Sequence, residues 1–141
     1  MATEAQNLVV DASVVVKWFV PEADTNHAVR LRNAHVREEL TLYAPVLLIY
    51  EVANALQHRP DLGDDVLTNS VEDLYLVDLE LIPPSSISTE QAIRRARRLG
   101  VTAYDAIYLE LAHSLGSILV TADSELFDRA RTTGLVRLLG A

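Results

Sequence analysis

Four acids stand out by their type and surroundings: Asp11, Glu51, Asp105 and Asp123. Glu51 sits among Ile49, Tyr50, Val52 and Ala53, and Asp105 among Ala103, Tyr104, Ala106 and Ile107. A carboxylate in so apolar a stretch needs a partner. Bases are scarce: Lys17 is the only one within nine residues of Asp11, and none lies within six of Glu51 or Asp105. Hard divalent cations resolve this shortage. Mg²⁺ and Mn²⁺ take oxygen ligands, one or two carboxylates each, and retain several waters. Three or four carboxylates without His or Cys suit metal-assisted hydrolysis of a phosphodiester. Each acid also has a plainer reading. Asp11 and Asp123 are good helix N-caps, Asp105 follows Thr102 at capping spacing, and Glu51 fits an exposed helix position.

The elements that must position these acids follow from the apolar pattern. Short β-branched or apolar runs at Leu8–Val10, Thr41–Ala44, Leu79–Ile82, Ser117–Thr121 and Val136–Leu139 read as five strands. Helical spacing is expected over 14–20, 24–37, 46–58, 66–77, 88–99, 103–115 and 124–133. In the fourth of these, Leu67, Val71, Leu74 and Tyr75 form the expected apolar face; Ser88 with Gln91 is expected to open the fifth as a capping box. Strands separated by helices require crossovers, which make a mainly parallel sheet covered on both faces, an α/β fold. All strand C-termini then share one edge, where ligands bind. Asp11, Asp123 and Glu51 follow strand ends at that edge. Asp105 joins them only if its helix also starts there.

The strings Val9-Val10-Asp11-Ala12-Ser13, Tyr50-Glu51-Val52-Ala53-Asn54-Ala55-Leu56, Gly100-Val101-Thr102-Ala103-Tyr104-Asp105-Ala106 and Leu119-Val120-Thr121-Ala122-Asp123 resemble the four motifs of PIN-domain nucleases. The likeness is to VapC-type ribonuclease toxins of prokaryotic toxin–antitoxin pairs and runs from about Leu8 to the C-terminus. The resemblance implies a PIN-like three-layer sandwich with a five-stranded sheet and an endoribonuclease dependent on Mg²⁺ or Mn²⁺. It implies that Asp11 and Asp105 are the main metal ligands and that Glu51 and Asp123 complete the site directly or through water. Ser13 and Thr121 match hydroxyl positions that orient the acids, and Asn54 matches a Glu-x-x-Asn pattern. It further implies a homodimer, an RNA substrate and a VapB-type antitoxin that places a basic side chain in the acidic cleft.

Length and composition bound the rest. The 141 residues read as a single domain over 1–141 with a short tail at 1–7. There is no cysteine, which excludes disulfides, thiolate metal sites and cysteine nucleophiles. The longest apolar run, Val46–Tyr50, is too short to span a bilayer, and residues 1–7 carry no signal-peptide pattern, so a cytoplasmic protein is expected. Twenty acids against twelve bases leave a net charge of −8, which argues against gripping duplex DNA with a broad basic surface. The one basic cluster, Arg94-Arg95-Ala96-Arg97-Arg98, reads as a solvated helix end or as RNA phosphate contacts. Ala92, Ile93, Ala96 and Leu99 are its expected buried stripe. Trp18 and Phe19 fit core packing or a partner groove equally well, and His58 reads as a surface residue.

Two rival functions remain. A phosphoacceptor receiver module also carries acids at strand ends, but needs a lysine after its fourth or fifth strand; Lys17 lies in the first helix. A catalytically silent PIN-type interaction domain would bind an antitoxin without cleaving RNA, against which the intact acidic quartet speaks.

Overall fold

The computed structural model describes residues 6–141. Its elements are β1 (Gln6–Val10), α1 (Ala12–Val15), a 3₁₀ turn (Val16–Trp18), α2 (Thr25–Val36), β2 (Leu40–Pro45), α3 (Leu47–Gln57), α4 (Asp64–Leu76), β3 (Glu80–Ile82), α5 (Ser86–Leu99), α6 (Ala103–Ser114), β4 (Leu119–Thr121), α7 (Ser124–Ala130), a second 3₁₀ turn (Arg131–Thr133) and β5 (Val136–Leu138). The tail expected at 1–7 lies mostly outside the described residues; Gln6 and Asn7 already belong to β1.

The five strands form one sheet in the order β3-β2-β1-β4-β5, every pair parallel. The chain moves outward from β1 to β3, then returns to β1's other side for β4 and β5. Right-handed crossovers therefore place the helices before β3 on one face and those after it on the other. The reversal falls between β1 and β4, the switch point at which open α/β sheets bind ligands. In this sheet Val10 pairs with Val120, so the residue after β1 comes to rest beside the last residue of β4. The central strands are apolar on both sides, and Leu8, Val9, Val10, Leu42, Leu119 and Val120 are all buried. Among the described residues no helix is long and apolar enough to cross a membrane.

The helix boundaries depart from the periodic reading in two informative places. The expected helix over 14–20 is shorter and tighter: one α-turn passes into 3₁₀ before Pro21. Helix α5 starts one turn earlier than the Ser88–Gln91 box implies. Ser85 is the N-cap: its hydroxyl accepts the Ser88 N–H at 3.1 Å, while the Ser88 hydroxyl accepts the Ser85 N–H at 3.1 Å. Serine at N3 thus replaces the usual Glu or Gln. At the far end of α5, Gly100 takes φ +69°, a left-handed stop that a side chain disfavours.

The buried face of α4 also differs. Leu74 is buried as expected, but Val71 and Tyr75 are exposed and Ser70 lies inward. Ser70 is accommodated because its hydroxyl donates to the Val66 carbonyl at 2.7 Å, leaving no unpaired polar group. Trp18 resolves to core packing, with its indole N–H donating to the Ala28 carbonyl at 2.8 Å. His35, at helical spacing with Ala28 and Leu31, accepts the Leu42 N–H at 3.0 Å on Nδ1. That N–H points to the side of β2 where β3 has not yet begun, so the imidazole replaces a missing strand partner.

Candidate active site

Asp11 is the most constrained of the four acids. It occupies the N-cap position of α1, yet its side chain caps nothing. Instead one carboxylate oxygen accepts the Ser13 hydroxyl at 2.5 Å and the other accepts the Thr121 hydroxyl at 2.5 Å. The β1–β4 register explains the second bond, since it sets Thr121 beside Asp11. Ser13 is fixed in turn by the Ala122 N–H, which donates to its oxygen at 2.9 Å. Thr121 is fully buried and its oxygen also accepts the Asp123 N–H at 3.1 Å. Both expected positioning hydroxyls therefore touch Asp11. Burial pushes the Asp11 carboxyl up to about 6; the Ser13 and Thr121 hydroxyls and the nearby Val14 N–H dipole pull it down, and the Asp105 charge pushes it up further.

Asp105 sits in the first turn of α6, where Thr102 accepts its N–H at 3.0 Å. Helix α6 follows α5 through a short turn and packs on β1, β2 and β4. Partial burial raises the Asp105 carboxyl; the Thr102 hydroxyl beside the carboxylate opposes this, and the charges of Asp123 and Glu125 add to it. Glu51 lies in the second turn of α3. Its carboxyl is raised by burial, lowered by a hydrogen bond from Tyr108 and raised again by the charge of Asp105. Asp105 is thus the electrostatic hub, coupled to Asp11, Glu51 and Asp123. Asp123 is exposed and caps α7, accepting the N–H groups of Glu125 and Leu126 at 3.0 and 3.1 Å.

Tyr108 is a site residue that the sequence reading missed. It is 2% exposed, and its hydroxyl donates to Glu51 Oε1 at 2.6 Å. Its position three residues after Asp105 on α6 was the available signal, because i and i+3 share a helix face. Burial and the acids around it push the Tyr108 phenol far above its ordinary range, so it stays a proton donor.

The other expected positions are placed less centrally. Asn54 is exposed, and its amide oxygen accepts from Gln57 at 3.3 Å. His58 is a surface residue whose Nδ1 contacts the Asn54 carbonyl at 2.7 Å. Of the four arginines read as a solvated helix end or as RNA phosphate contacts, Arg95 does not reach solvent freely. Its guanidinium donates to buried Glu110 on α6 at 3.0 and 3.2 Å. Ile93 is exposed where a buried position was expected, since the α5 face that packs is Ala92, Arg95 and Ala96. Arg94 pairs with Glu90 one turn before it at 2.6 Å, and Arg97 and Arg98 are exposed.

No ion pair among the described residues involves Asp11, Glu51, Asp105 or Asp123. Four carboxylates linked through Asp105 by mutual repulsion, three of them raised and none paired with a cation, form a set that a proton or a divalent cation would neutralise. Oxygen donors without His or Cys match Mg²⁺ or Mn²⁺ better than Zn²⁺. Among the described residues no three His, Asp or Glu side chains are already drawn in around one point.

The PIN domain model matches residues 8–132. Ribonuclease VapC3 from Pyrobaculum aerophilum is 35% identical over 126 residues, covering 86% of this chain and 93% of the relative. Among solved structures, VapC20 from Mycobacterium tuberculosis, a sarcin–ricin-loop-cleaving toxin, superposes with a TM-score of 0.69 at 16% identity, covering 92% of this chain and 96% of that one. VapBC2 from Rickettsia felis, bound to a DNA fragment from its promoter, superposes with a TM-score of 0.66 at 14% identity, covering 94% and 98%. These last two likenesses concern the fold; the match over 8–132 and the 35% relative reach further. On that ground the chain belongs to the PIN-domain family and, within it, to the VapC ribonucleases.

Proposed function

We propose that this chain is a divalent-metal-dependent endoribonuclease, the toxin of a toxin–antitoxin pair, with Asp11, Glu51, Asp105 and Asp123 as its catalytic acids. One observation carries the reading: Asp11 is buried at the sheet's switch point, both its oxygens held by hydroxyls, repelled by Asp105 and paired with no cation.

Asp11 and Asp105 would hold Mg²⁺ or Mn²⁺, with Glu51 and Asp123 completing the shell directly or through water. A bound ion of this kind offsets the acids' charge, lowers the pKa of its water and stabilises developing negative charge on phosphate oxygens. The protein's own contribution is positional. Ser13 and Thr121 hold Asp11 in one rotamer, and Thr121 also holds the backbone of Asp123. Tyr108 orients Glu51 and favours its ionised form. Side-chain rotation of Glu51, Asp105 or Asp123 draws them together. Asn54 stands one turn from Glu51 as a supporting polar group, and exposed Arg97 and Arg98 supply phosphate contacts.

The partners follow from the same reading: single-stranded RNA as substrate, a VapB-type antitoxin whose basic side chain occupies the acidic cleft, and a second copy in a homodimer. The setting is the cytoplasm, and the 1–141 chain acts as one PIN domain. The likeness of fold to VapBC2 supports the antitoxin assignment. Calorimetric titration with Mn²⁺ tests the site: heat of binding is expected for the wild type and none for Asp11→Asn. A wild type that takes up no Mn²⁺ would favour a silent interaction domain instead.

A further inference from the structure

We propose that Lys17 is a phosphate-binding residue of this site, its ammonium receiving an RNA phosphate that neighbours the one being cut. The proposal rests on the ribonuclease reading above and deepens it. Lys17 is the only lysine in the chain and is 8% exposed, a degree of burial that lysine seldom reaches without a partner. Its Nζ donates to Glu22 Oε2 at 3.1 Å, and among the described residues that is its one acceptor. An ammonium carries three donors, so two remain for a further acceptor.

Lys17 lines a cavity of about 320 Å³ together with Ala12, Ser13, Val16, Glu22, Ala55 and Ala122. This cavity shares a wall with the acidic site: the same Ser13 oxygen that donates to Asp11 accepts the Ala122 N–H. A cluster of four acids repels the flanking phosphates of an RNA strand. A compact cation at the cluster's rim is the complement such a strand requires.

Glu22 does not need Lys17 to keep its place. Its N–H donates to the Thr25 hydroxyl at 2.9 Å, and that hydroxyl donates back to the Glu22 carbonyl at 2.9 Å. Its second carboxylate oxygen faces Arg59 at 3.5 Å. Arg59 therefore retains Glu22 when Lys17 turns to a phosphate.

The test is binding of a fluorescent single-stranded RNA in Ca²⁺ buffer, followed by anisotropy over a salt series, with cleavage in Mg²⁺ assayed in parallel. Lys17→Met is expected to raise Kd about tenfold, as loss of one charge-assisted hydrogen bond does. It should also lower the slope of log Kd against log salt by about 0.7, one single-strand phosphate contact. Lys17→Arg should restore the slope. Glu22→Gln should tighten binding, since it removes the acceptor that competes with phosphate; a merely structural ion pair would lower the melting temperature and leave Kd unchanged. Wild-type Kd and slope in Lys17→Met overturn the proposal. Should that variant not fold, unchanged or weaker binding by Glu22→Gln overturns it. A wild type that binds RNA but never cleaves it sinks the ribonuclease reading and leaves the Lys17 result to stand by itself.

Discussion

The Tyr108 hydroxyl donates to Glu51 Oε1 across 2.6 Å, tying helix α6 to helix α3 over 57 residues of chain. The bond fixes one acid of the quartet from the same helix that carries Asp105. Tyr108→Phe is nearly isosteric, so it removes the donor and little else, at about 1 kcal/mol of stability. Because the bond holds the Glu51 carboxyl down, its loss lets that carboxyl rise. We expect RNA cleavage to fall roughly three- to tenfold near neutrality, which is about 1 kcal/mol of barrier. The acid limb of the pH–rate profile should move to higher pH. Cleavage rates over a pH series compare the two proteins directly.

Asp11 makes the metal-free protein sensitive to pH. Its folded carboxyl is pushed up to about 6 from an ordinary 3.8, so the folded state holds that proton more tightly than the unfolded chain. The associated stability is fully present below about pH 4 and is lost as pH rises through 6, with about 3 kcal/mol as its ceiling. In EDTA, wild-type protein should therefore lose stability relative to Asp11→Asn between those limits. At pH 7.5 the Asn variant should melt at the higher temperature. Saturating Mn²⁺ should rescue the wild type and leave the variant unmoved. Thermal denaturation at several pH values reads all three effects.

The arginine cluster should divide by role. Arg95 and Glu110 form a buried pair between α5 and α6, with side chains 13% and 6% exposed. Arg95→Ala leaves a carboxylate buried without its partner and should cost about 3–5 kcal/mol, measured by urea denaturation. Alanine at Arg97 and Arg98 should change stability by less than about 0.5 kcal/mol. That double variant should instead weaken RNA binding and flatten its salt dependence.

Removing the hydroxyl that holds Asp11 should separate positioning from ligation. Thr121→Val keeps the buried shape but deprives the carboxylate of a donor and the Asp123 N–H of its acceptor. We expect a stability loss of about 1–3 kcal/mol, since buried groups are left unpaired. Mn²⁺ affinity should fall but remain measurable, whereas Asp11→Asn should abolish it; calorimetry distinguishes the two.

Much of this site was legible because its acids are tied to strand ends. Apolar runs lead directly into Asp11 and, two residues on from Thr121, into Asp123; a strand's end has one place in a parallel sheet. Asp105 was legible only conditionally, and the charge repulsion it shares with Asp11, Glu51 and Asp123 meets the condition. Tyr108 and Arg95 were not legible in their roles. Each is defined by a partner on another element, and periodicity reports which face of a helix is apolar, not what stands opposite it. The face of α4 was misread for a related reason: Ser70 is polar by type but satisfied by its own helix, so it goes inward where Val71 and Tyr75 do not.

We infer that the acidic quartet hydrolyses RNA with a divalent ion. The most direct measurement is cleavage of an end-labelled single-stranded RNA by wild type, Asp11→Asn and Asp105→Asn, with and without Mg²⁺. Wild-type protein should cut at internal positions in Mg²⁺ only, and neither variant should cut. Undiminished cleavage by Asp11→Asn, or wild-type cleavage that persists in EDTA, would contradict the account.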